Sequence, residues 1–110
     1  MIPAHNLRRR IMPNSKEKQV YEREMEQELQ TYDKEIEELR RKADKAEAQA
    51  KLKFYEQIDA LLNKQRDVRK KLQELNRAGE DAWTDLKKGF ERARTDLKTA
   101  IDRAVSKFKF

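Results

Sequence analysis

The chain of 110 residues has no cysteine, two glycines, two prolines and one histidine. Without cysteine there is no disulfide framework, no thiol nucleophile and no thiolate metal ligand. The lone His5 cannot build a histidine metal cluster, so no metal and no cofactor is expected. Long hydrophobic runs are missing too. Nothing approaches the ~20 apolar residues that cross a bilayer. Met1–Arg10 lacks the apolar stretch of a secretory signal, which makes the cytoplasm the expected location. Apolar residues make up 36% of the chain, below the usual share for a globular domain. A compact core of ordinary size is therefore not expected, and elongated helices that bury a single stripe are.

What is abundant is charge. Asp, Glu, Lys and Arg account for 44% of the residues, and the net charge is +6. With Gly and Pro nearly absent, this Glu-, Lys-, Arg-, Leu- and Ala-rich composition favours helix. Residues 1–20 carry five basic side chains against one acidic, whereas residues 21–79 hold fourteen of each sign. The surplus is thus concentrated in an arm, residues 1–13, which has no periodicity and contains both prolines. Met12 is an alternative start, because the helical pattern begins just after it. Asn14 suits an N-cap, with Glu17 three residues on as in a capping box.

From there helical periodicity runs for about sixty residues and predicts one long coiled-coil helix over 14–77. A heptad-like seam comprises Leu29, Tyr32, Ile36, Leu39, Ala43, Ala46 and Ala50. After Ala50 the phase slips by one and continues through Phe54, Ile58, Leu61, Val68, Leu72 and Leu75, a stutter that relaxes the supercoil. Asn76-Arg77-Ala78-Gly79 then reads as a helix stop. Gly79 is the hinge, placed where a left-handed residue is tolerated, and residues 78–80 form the turn. A shorter return helix over 81–108 completes a helical hairpin; the alternative is one continuous helix.

The return helix holds an eleven-residue repeat. Residues 82–93 align with 93–104, and seven of the twelve paired positions are identical. Eleven residues make almost three turns, so the stripe Leu86, Phe90, Ala93, Leu97, Ile101, Ala104 and Phe108 hardly drifts, with Trp83 at its edge. Packed on the 54–75 stripe, Trp83, Leu86, Phe90, Leu97 and Ile101 would close the hairpin.

The run Ala78-Gly79-Glu80-Asp81-Ala82-Trp83-Thr84-Asp85-Leu86-Lys87-Lys88-Gly89, with a second amphipathic repeat and the Ser106-Lys107-Phe108-Lys109 ending, resembles a group of small bacterial coiled-coil proteins. Tyr32–Leu39 and Lys42–Ala46 resemble the same group, so the likeness spans roughly residues 20–109. It implies a coiled-coil fold and a bacterial origin, and it brings no activity with it.

Carboxylates such as Glu35, Glu37 and Glu38 are plentiful, but acid–base catalysis needs them in a water-excluding pocket. The Glu-x-x-His pattern of carboxylate-bridged metal bundles does not occur. The expected function is therefore non-enzymatic: a coiled-coil spacer, adaptor or assembly partner. The first partner is the chain itself, as a homodimer or higher oligomer, and another protein is the next. Residues 22–38 hold eight acidic and two basic side chains, and residues 64–77 six basic and two acidic. An antiparallel dimer centred near residues 48–50 sets these blocks against each other, while a parallel one sets like against like. A second reading takes residues 81–108 to a membrane surface, as eleven-residue repeats do in exchangeable apolipoproteins. A weaker third takes Arg8, Arg9 and Arg10 to an anionic surface or nucleic acid. The rest of the chain lacks the one-sided basic face that tracking a phosphate backbone requires.

Overall fold

The computed structural model describes residues 15–108. They form three α-helices: α1, Ser15–Asp44; α2, Ala48–Arg77; and α3, Glu80–Lys107. No strand occurs among the described residues. Contacts such as Tyr55 with Asp44, Arg69 with Glu26 and Lys64 with Asp96 run α2 antiparallel to both neighbours. Trp83 meets Glu22 and Arg94 meets Glu28, so α1 and α3 lie parallel. The result is an up-down-up three-helix bundle with short connections.

The single helix expected over 14–77, and with it the fully continuous alternative, is corrected by a break at Lys45-Ala46-Glu47. The reason is burial. The stripe on α1 and the stripe on α2 have nothing to face in an isolated rod. Folding back brings Met25, Leu29, Tyr32, Ile36, Leu39 and Ala43 into one core with Ile58, Leu61, Val68, Leu72, Leu75, Trp83, Phe90, Leu97, Ile101, Ala104 and Phe108. Each large apolar side chain buried contributes about 1.5–3 kcal/mol. Breaking the helix forfeits about four intrahelical hydrogen bonds, leaving C=O groups orphaned at one new end and their N–H partners at the other. Two tightened bonds, Lys45 N–H to Lys42 O and Ala46 N–H to Ala43 O, both 3.1 Å, replace part of that loss. With net values near ~1 kcal/mol per hydrogen bond, burial wins.

The second reversal falls at Ala78 and Gly79, but its geometry differs from the expectation. Gly79 is the N-cap of α3 with φ −75° and ψ 171°, and Ala78 caps α2 at φ −72° and ψ 142°. Both are extended, and no described residue has positive φ. The turn works because the Gly79 carbonyl accepts from Ala82 and Trp83, while Glu80 and Asp81 sit favourably at the positive end of the helix dipole. Phe108 caps the other end of α3, its N–H donating to Ala104 O, and its ring lies 4.2 Å from that of Phe54.

Candidate functional site

The residues expected to form a seam for a second chain are covered by their own. Leu29, Tyr32, Ile36, Leu39 and Ala43 are each no more than 5% exposed, because α2 and α3 pack over them. The premise that this seam lacks a partner within the chain is thereby corrected. Ala46 lies in the α1–α2 corner and Ala50 on the first turn of α2, both half-buried. Of the hairpin residues, Ile58, Leu61, Val68, Leu72, Leu75, Trp83, Phe90, Leu97 and Ile101 are buried, and Phe54 and Leu86 are half-buried against the core. Arg8, Arg9, Arg10, the arm 1–13 and the Asn14 cap lie outside the described residues.

The bundle leaves its surface to charge, and the charges are organised by which helices face each other. On the α1–α2 side, the acidic stretch of α1 meets the basic stretch of α2. Arg69 reaches Asp33 and, at 3.3 Å, Glu26, and Gln65 donates to Asp33. Burial works against the Arg69 charge, but Asp33 and Glu26 outweigh it and hold its pKa above the ordinary guanidinium value. The opposition of blocks that the sequence pattern suggested between chains is thus satisfied within one.

The α1–α3 side is the candidate interaction face, because here polar side chains span the gap between two parallel helices. Arg94 Nη1 donates to both oxygens of Glu28, at 2.9 and 2.7 Å, and Nη2 to Glu91 Oε2 at 2.8 Å. Tyr21 donates to Glu91 and Tyr32 to Glu28, so both carboxylates are shared between a phenol and the guanidinium. Burial, then the adjacent carboxylate, pushes the Tyr21 and Tyr32 hydroxyls well above the usual phenol range. Both phenols therefore stay protonated, as hydrogen-bond donors, across physiological pH. Lys87 Nζ sits 4.6 Å above the Tyr21 ring and 5.3 Å from that of Trp83, a double cation–π contact. Trp83 and Phe90 meet Tyr21 edge-to-face at 5.5 and 6.2 Å.

Two hollows flank this face. One of about 410 Å³ is lined by Thr84, Lys87, Lys88, Glu91 and Arg92, and one of about 320 Å³ by Lys16, Glu17, Val20, Tyr21 and Glu24. Both are open to solvent. Among the described residues, no three or more His, Cys, Asp or Glu side chains are grouped to hold a metal ion. No described helix is long and apolar enough to cross a membrane. The large exposed apolar side chains, Val20, Leu52 and Val105, lie one on each helix. Tyr21, Lys87, Glu28 and Arg94 were not singled out as a group by sequence reasoning. An advance signal lay in the helical spacing, which puts Lys87 and Arg94 on the same flank of the α3 apolar stripe. Compared with known proteins, the chain matches no family model, no curated protein and no solved structure.

Proposed function

We propose that the protein is a non-enzymatic helical interaction module, a rigid spacer or adaptor that presents charged helix faces to a partner protein in the cytoplasm. One observation carries this reading. The bundle spends its periodic apolar residues on its own core and leaves a surface of ordered ion pairs flanked by open, shallow hollows. Such a face suits recognition by charge complementarity rather than transformation of a bound substrate. Affinity capture from the host should recover a protein partner that is lost when Lys88 and Arg92, exposed beside the α1–α3 seam, are both changed to Glu. Recovery undiminished by that double change would place the binding face elsewhere, and no partner at all would count against the reading.

A second reading, attachment to a lipid surface through α3, draws on the eleven-residue repeat. In the closed bundle Trp83, Phe90, Leu97, Ile101 and Phe108 are at most 4% exposed. Lipid binding on this reading therefore requires the bundle to open first. Flotation with anionic vesicles that leaves the protein at the bottom of the gradient would remove it.

A further inference from the structure

The α1–α2 corner is built from residues that prefer not to be a corner. Asp44-Lys45-Ala46-Glu47-Ala48-Gln49-Ala50 contains neither glycine nor proline, and apart from Asp44 its members are helix formers or neutral. Glu47 occupies the N-cap of α2 at φ −66° and ψ 155° without a side-chain capping bond, a position at which Ser, Thr, Asp or Asn is favoured. Its φ is already helical, so most of the difference between the corner and a straight helix at Glu47 is one ψ rotation. The corner is held from outside, by the Tyr55 hydroxyl donating to Asp44 and by the core on either side. By contrast, the α2–α3 connection has Gly79 and two acidic residues in the first turn of α3.

From this asymmetry we infer that the chain forms a dimer by exchange of α1, the corner straightening so that α1 and α2 join as one helix over 15–77. The occupant of the vacated place is α1 of a second copy. The register supports this. Within one chain Asp33 meets Gln65 and Arg69, Glu26 meets Arg69, and Tyr55 meets Asp44. The paired numbers are centred close to residue 49. Two straight helices laid antiparallel about that residue re-form the α1–α2 pairs between chains, reciprocally, as a two-fold dimer demands. At the crossing, Ala46, Ala48 and Ala50 replace large side chains, so the two backbones approach without clash. The contacts between α1 and α3, Arg94 with Glu28 and Trp83 with Glu22, transfer in the same way because α3 stays on its own α2. Nearly the whole native interface is conserved, and the corner becomes helix. A short connection between such elements is where domain exchange is expected.

The inference deepens the interaction-module reading by naming a second copy as one partner, but its physics depends only on the corner and the core. The test uses the full chain and Ala48→Pro. Proline at the first position of α2 loses no needed N–H and fits the extended Glu47 before it, whereas it cannot sit inside a continuous helix. After annealing from heat at high concentration, the parent should sediment partly at twice its 13.2 kDa chain mass. Ala48→Pro should keep its helicity and melting temperature while its dimer fraction falls at least tenfold. Spin labels at Lys34 and Arg66, diluted in unlabelled protein, should report a within-chain distance of about 48 Å in the dimer, at 1.5 Å per residue, against about 10–20 Å for neighbouring packed helices in the monomer. A parent that stays at 13.2 kDa under all conditions overturns the inference. So does a dimer that keeps the short distance, or one that Ala48→Pro leaves intact. A failure here leaves the capture experiment on Lys88 and Arg92 unaffected, so the two readings fail separately.

Discussion

The indole N–H of Trp83 donates to Glu22 Oε2 at 3.0 Å, across 61 positions of sequence, and fastens the start of α3 to the start of α1. Tyr21 ties the same two ends together, its ring against Trp83 and its hydroxyl donating to Glu91. Trp83 is 4% exposed, with Tyr21 against its edge and Lys87 over both rings. Its emission should therefore be blue-shifted and weakly quenched by iodide without any lipid present. Glu22→Ala leaves the indole N–H without its acceptor. Because Glu22 is only half-buried, water replaces part of the bond, and the expected loss is about 1 kcal/mol in urea denaturation. A red-shifted parent spectrum would contradict the closed bundle.

Burial separates two leucines of the eleven-residue repeat that the sequence treats alike. Leu86 and Leu97 are equivalent positions of successive repeats, yet Leu97 is fully buried and Leu86 half-buried. Leu97→Ala should cost about 2–5 kcal/mol. Leu86→Ala, with less area to lose and easier access for water, should cost less than half as much. Equal losses in a denaturant titration would mean the two sites share one environment.

The two glycines should answer substitution by different amounts. A Cβ at Gly79 or Gly89 meets nothing within 4 Å, and neither residue has positive φ. Gly89 lies inside α3, so Gly89→Ala should stabilise by about 0.5–1 kcal/mol through helix propensity. Gly79→Ala should change stability by only a few tenths of a kcal/mol. It trades a serviceable N-cap against a restricted unfolded chain. Had Gly79 been left-handed, alanine there would have destabilised by about 1 kcal/mol or more, and thermal melts distinguish the signs.

How much of this could be read in advance depends on the kind of interaction. The helical content, the members of the stripes and the reversal near Gly79 follow from periodicity and from residues with particular backbone preferences. The corner at Lys45-Ala46-Glu47 does not, because its residues favour helix and only the meeting of two distant stripes breaks it. Leu29 and Leu39 were recognisable as apolar seam residues. That α2 of the same chain would cover them was not recognisable, since periodicity says which face is buried and not by what. The pairs Tyr21–Glu91 and Arg94–Glu28 were the least legible. They depend on α1 and α3 lying parallel, which follows only after both reversals are known. Arg69 with Asp33 is intermediate, for the opposed charge blocks were visible while the chain that supplies each was not.

The Arg94–Glu28 pair should couple measurably. The two side chains are only 26% and 29% exposed, and one guanidinium nitrogen, Nη1, donates to both carboxylate oxygens. Exposed pairs are worth about 0–1 kcal/mol, and screening by solvent still acts here. A double-mutant cycle on Arg94→Ala and Glu28→Ala should give a coupling near ~1 kcal/mol, reduced in high salt. The parallel cycle on Lys71 and Asp67, a pair 3.4 Å apart with 36% and 54% exposure, should give less. Coupling of the same size in both would show that the seam around Arg94 is as wet as the outer face of α2.

Glu35 provides a test by pH. Burial, and then the nearby Asp102, holds its carboxyl above the usual carboxylate range, with Lys98 opposing. A carboxyl whose folded pKa is raised binds its proton more readily in the native state than in the unfolded one. Its ionisation therefore disfavours the fold once the pH rises above the raised value. That contribution fades as the pH falls through the raised value to the unfolded one. Glu35→Gln removes the charge and should raise the melting temperature at pH 7. The advantage should shrink towards zero as the pH falls below the ordinary carboxylate range, where Glu35 of the parent is protonated too. Acid affects every carboxylate, so the readout is the difference between variant and parent at each pH rather than either curve alone. Lys98→Ala, which deletes the opposing positive charge, should enlarge the advantage of the Gln variant at pH 7. A variant no more stable than its parent at neutral pH, or a gain that persists unchanged in acid, would show that Glu35 is better solvated than the packing of α1 against α3 implies.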